Sequence, residues 1–203
     1  FLVPFGFEML SGRMILEAFE SGTYFITAMY LLFAALSLGE ASVVMMLVGA
    51  FTPLLTLVIG YPFGFAALGK LEVAGFAALV LGAFLMYGVE EKHSRRFVAV
   101  LSVLAALFFA LSTITLKIVY LHTNFINGFI WTRLFGVLIC LFLLLIPLFR
   151  KSVFDSAHTA HLKYKVFYFL NRGYASIASL LYAYAISIGN PALSEATGSF
   201  KFV

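Results

Sequence analysis

Ala35-Leu36-Ser37-Leu38-Gly39 and, 150 positions later, Ala185-Ile186-Ser187-Ile188-Gly189 are nearly the same five residues, and each closes a long apolar run. The apolar runs between them imply an odd number of membrane-spanning helices per copy. A duplicated unit with an odd number of spans must lie in the bilayer in two opposite orientations, a common construction among secondary transporters. Working outward from this pair, the sequence reads as an all-α integral membrane protein built on an inverted five-plus-five helix repeat.

Composition agrees with a lipid solvent. Of the 203 residues, 63% are hydrophobic and 11% are charged, against about 25% charged in ordinary soluble domains. A single soluble core of this size cannot hide so much apolar surface. The net charge of +4 is carried by basic residues clustered between the apolar runs, which is a pattern of membrane topology and excludes a nucleic-acid surface. The 24 Phe and 10 Tyr suit rings that face lipid or sit at its boundary. The one cysteine, Cys140, lies inside an apolar run, so no disulfide framework exists.

A spanning helix needs about 20 mostly apolar residues, and six runs qualify: 21–39, 41–60, 71–89, 97–121, 127–149 and 166–189. Residues 1–7 read as the end of an earlier span and 191–203 as the start of a later one. The stretch 8–20, with Glu8, Arg13, Glu17 and Glu20, reads as a polar connection. Completing both halves by the repeat logic predicts an intact protein of roughly 290–300 residues and ten spans. The division is then 1–89 as the end of the first repeat, 90–96 as a basic linker and 97–203 as the truncated start of the second.

With the residues in view, a family resemblance can be stated. Ala35 to Gly39, the mid-helix Phe51-Thr52-Pro53, and Gly75 and Gly82 seven apart are followed by the basic linker 92–96. Trp131-Thr132-Arg133 then stands near the start of the second helix of a new repeat, and Tyr182 to Pro191 spans a third-to-fourth helix junction. In these elements the chain resembles the EamA-like domain of the drug/metabolite transporter superfamily. The stretch from Gly60 to Gly69 lacks the acid that family members often carry there. The resemblance implies a secondary transporter of small polar or anionic metabolites.

Six residues are the expected substrate contacts: Thr52, Pro53, Lys117, Trp131, Arg133 and Tyr182. Pro53 cannot donate to the carbonyl of Gly49 and kinks its helix, exposing backbone polar groups. Lys117 and Arg133 lie near the facing ends of two successive spans. Intramembrane cations are costly and usually face protein or water, so two at one depth favour an anionic group; alternatively both snorkel to the interface. Glu72 is a candidate partner for either. Trp131 and Tyr182 offer stacking or hydroxyl contacts. Gly75, Ala78 and Gly82 form a smooth stripe for helix packing.

No Walker loop, nucleophile elbow or HExxH occurs, and the sequence implies neither enzyme activity, cofactor nor metal. The partners expected are a lipid bilayer and a small-molecule substrate. Positive-inside bias places 90–96 and 150–165 in the cytoplasm, whereas the usual layout of the resembled superfamily places 90–96 outside. Two other classes stay open: a membrane-embedded enzyme acting on lipid, with His158, His161 and Asp155 as its only candidates, and a non-transporting scaffold.

Overall fold

The computed structural model describes residues 9–65, 69–87, 95–147, 150 and 162–199. Every element among them is helical: α1 (Gly12–Leu38), α2 (Ala41–Gly60) followed by a 3₁₀ turn at Tyr61–Phe63, α3 (Lys70–Tyr87), α4 (Arg95–His122), α5 (Phe125–Leu144), α6 (Leu162–Ile188) and α7 (Pro191–Ser199). Four helical segments are long and apolar enough to cross a membrane: Gly12–Leu38, Ala41–Phe63, Arg96–His122 and Phe125–Leu144. The chain is an all-α protein of membrane type. Its exterior matches a lipid solvent, with Phe33, Leu81, Phe142 and Phe169 all exposed. Asn171, Arg172 and several Ser and Tyr residues lower the hydropathy of α6.

The polar stretch expected to connect two spans is instead the first turns of α1, which is helical from Gly12. A helix of 27 residues is about 40 Å long, longer than the roughly 30 Å hydrocarbon core. Its Arg13–Glu17 end can therefore stand outside the lipid while the rest spans it, and those two side chains pair at i, i+4.

α1 packs most extensively against α4, and the sequence of both helices explains why. On α1 the buried residues Met14, Ala18, Ser21, Ala28, Leu32 and Ala35 follow steps of four and three, with the one intervening position at 25 passed over. On α4 Val98, Ser102, Ala105 and Ser112 do the same, and all are buried. This is the seven-residue seam of a coiled coil, filled mainly with small residues so that the backbones approach. The seam is locked by a reciprocal pair: Ser21 donates to the carbonyl of Ser112 (3.1 Å) and Ser112 donates to that of Ser21 (2.9 Å). Gly22 lets α1 close on α5 as well, since a Cβ there would stand 3.2 Å from the amide nitrogen of Gly136.

Contacts fix the directions. Gly39 lies on Val98 while Ser21 lies on Ser112, so α1 and α4 are antiparallel. Met14 and Asn127 line one cavity while Gly22 lies on Gly136, so α1 and α5 run parallel and α5 is antiparallel to α4. Phe125 meets Tyr184 while Arg133 meets Ser179, so α5 and α6 are antiparallel too. It follows that α1 and α6 run in opposite directions. They also match in detail: each has 27 residues, each ends with a glycine amide bonded four residues back (Gly39 to Ala35, 3.0 Å; Gly189 to Ala185, 2.8 Å), and each has a serine hydroxyl bonded three residues back (Ser37 to Ala34, 2.8 Å; Ser187 to Tyr184, 2.7 Å).

The stripe of Gly75, Ala78 and Gly82 does not pack as expected. All three are exposed, and a Cβ at Gly75 or Gly82 would meet nothing within 4 Å.

Candidate functional site

Polar groups collect where α4, α5, α6 and α7 meet. Thr113, Lys117 and Tyr120 stand at i, i+4 and i+7, one face of α4, and all three are buried. The core beneath them is Ala183 and Ile186 of α6 with Leu116, Phe125, Phe129 and Tyr182 around it.

Lys117 is 7% exposed. Its ammonium donates to three carbonyls at the end of α6: Ile186 (3.0 Å), Ser187 (2.9 Å) and Gly189 (2.9 Å). An ammonium has three protons, so this set is saturated and none is left for an anion. Lys117, expected as an anion contact, is engaged with the end of α6. The C-terminal carbonyls of a helix carry a partial negative charge, which is why a cation settles there.

One turn back along α4, the Thr113 hydroxyl donates to the Glu195 carboxylate on α7. Tyr182 of α6 stands beside the same carboxylate, and its ring lies over Gly198, where a Cβ would stand 3.3 Å from Cε2. A carboxylate in an apolar bundle needs such donors, because burying the charge unpaired is far more costly. Tyr184 faces the other way, onto Phe125 (5.2 Å between centroids).

Arg133 on α5 donates from Nη2 to the Ser179 hydroxyl (2.6 Å) and lies over the Phe129 ring (5.2 Å). A guanidinium has five N–H donors, so capacity remains for a planar anion. α5 begins two residues earlier than the apolar run suggested, because the Asn124 side chain caps it by accepting from the Asn127 amide (2.8 Å). Arg133 therefore stands eight residues past the start of the 20-residue α5, and it is exposed. Beside it, the buried Tyr120 hydroxyl makes no hydrogen bond among the described residues. The adjacent Thr132 hydroxyl is committed to the carbonyls of Gly128 (2.9 Å) and Phe129 (3.1 Å).

Thus the structure brings Lys117, Arg133 and Tyr182 to one region and adds Thr113, Tyr120, Ser179 and Glu195. Trp131 lies beside them on α5 but tilts onto Phe135 (5.8 Å). Thr52 and Pro53 are buried on α2, which packs on the α4 and α7 side; the Thr52 hydroxyl is taken by the Val48 carbonyl (2.7 Å). Glu72 accepts from the Gly69 amide (2.7 Å) at the start of α3 rather than pairing with either cation. An open cavity of about 500 Å³, lined by Ser11, Met14, His122, Asn124 and Asn127 among others, sits over the α4–α5 turn.

No protein-family model, curated protein or solved structure matches this chain. Among the described residues no group of three His, Cys, Asp or Glu could hold a metal; His158, His161 and Asp155 lie outside the described residues.

Proposed function

We propose that the protein is a secondary membrane transporter that moves a small polar or anionic metabolite by alternating access between two inverted repeats, without ATP. The observation that carries this reading is the recurrence, 150 residues apart, of the same helix–glycine–helix junction in α1–α2 and α6–α7, on helices that run in opposite directions. Inverted repeats of this kind place a substrate site near the bilayer midplane and let one half rock against the other. The EamA-like resemblance points the same way. Within this reading Arg133 supplies the anion contact with Ser179 and Tyr120 beside it, Tyr182 and Glu195 form a polar wall, and Lys117 holds the end of α6.

The test is counterflow in reconstituted vesicles over pools of carboxylates, phosphates and neutral metabolites. Anions should exchange, and Arg133→Ala should abolish their exchange while Arg133→Lys, which cannot bind a planar anion bidentately, retains a fraction. Equal exchange by wild type and Arg133→Ala for every transported anion would remove the site from this reading; no exchange of any metabolite would remove transport itself.

A further inference from the structure

The break between α6 and α7 has its own hydrogen-bond inventory. The Gly189 amide returns to Ala185 (2.8 Å), and the Asn190 side chain accepts from Ala192 (2.9 Å) to start α7. That leaves carbonyls at the end of α6 without helical donors. Three of them, from Ile186, Ser187 and Gly189, converge on one point, and Lys117 Nζ occupies it. Helix C-termini and unwound carbonyls of this kind are where membrane transporters coordinate monovalent cations. The equivalent junction at the end of α1 is different: among the described residues no side chain donates to the carbonyls of Leu36, Ser37 or Gly39, and Gly39 meets the apolar Val98.

We infer that the α6–α7 break is a monovalent-cation site whose resident cation is the chain's own Lys117 ammonium. The lysine stem delivers the charge across the gap between α4 and α6, so the site needs no ion from solution. Removing the side chain beyond Cβ leaves a space shaped for an alkylammonium, open to the outside because Ile188 and Gly189 are exposed. The missing atoms are those of propylammonium, so that ion fits best. Tetramethylammonium carries the same charge without an N–H donor and cannot satisfy the carbonyls. This inference stands whether or not the chain transports.

The experiment is a thermal melt of the purified full chain in lipid nanodiscs, at one ionic strength, in tetramethylammonium, ammonium, methylammonium or propylammonium chloride. Lys117→Ala should melt below wild type in tetramethylammonium. It should recover most of the loss saturably in propylammonium and less in ammonium, as expected for a ligand that binds only the folded state, while wild type is indifferent to the choice of salt. Lys117→Met keeps an apolar stem of similar length without the charge, and should melt low in all four salts. A Lys117→Met or Lys117→Ala protein as stable as wild type in tetramethylammonium overturns the inference, and so does a Lys117→Ala protein that no N–H cation restores.

Discussion

Replacing Tyr120 by Phe should make the protein more stable, contrary to the usual effect of a change in a buried side chain. Tyr120 is 8% exposed; its ring packs on Phe125 (5.4 Å between centroids) and fills the space over Gly128, where a Cβ would come within 2.8 Å of Cδ1. Phenylalanine keeps all of that packing and removes only the hydroxyl, which makes no hydrogen bond among the described residues. A buried polar group left unpaired costs about 1–3 kcal/mol. The nearby Arg133 charge attracts the negative end of the hydroxyl dipole, so the gain should fall at the low end, about 1 kcal/mol, or roughly 2–4 °C for a chain of this size. Unfolding from detergent micelles with rising dodecyl sulfate, followed through Trp131 (the only tryptophan), measures it. In the proposed transport site the order should invert once a substrate anion is bound, because the hydroxyl then gains a partner. A Tyr120→Phe protein that is about 1 kcal/mol less stable than wild type without ligand would refute this reasoning, because the hydroxyl must then hold a partner already.

Three further outcomes follow from the packing. Ser21→Ala and Ser112→Ala should each cost about 0.6 kcal/mol, as interhelical hydrogen bonds in membranes do, measured by the same unfolding; no loss in either would separate the α1–α4 seam from that clasp. Gly22→Leu should cost about 1–3 kcal/mol by overpacking, and Gly75→Leu, facing open space, should be close to neutral by the same measure. Thr113→Val, nearly the same shape, should cost about 1.5–3 kcal/mol by removing a hydrogen bond to a carboxylate, and Glu195→Gln, which still accepts from Thr113, should cost less than Glu195→Ala.

The junctions at Gly39 and Gly189 were legible because their chemistry is local: a small, apolar, serine-bearing turn of helix followed by glycine reads the same in one dimension as in three. The start of α1 was not, because Arg13, Glu17 and Glu20 fail an apolarity criterion while remaining good helix residues, and a helix does not stop where the lipid does. Arg133 was singled out as a cation inside an apolar run, and its place along α5 follows from Asn124, whose side chain caps the helix. Lys117 was legible as a buried charge and not as a helix-end contact, since its acceptors lie about 70 residues further along the chain and converge only once α6 has docked. Thr113, Tyr120 and Ser179 carry no distinctive local signal beyond the i, i+4, i+7 spacing on α4.

α6 is attached to the rest of the described bundle at one end only. Its contacts run from Ser179 to Gly189, with Tyr182, Ala183, Tyr184 and Ile186 among them, whereas Val166, Phe167, Phe169, Leu170 and Tyr174 are all exposed. For a rod about 40 Å long held near its C-terminus, a tilt of about 10° about the Lys117 contact moves the far end through about 7 Å. Small rearrangements at the held end are thereby geared into larger displacements at the other.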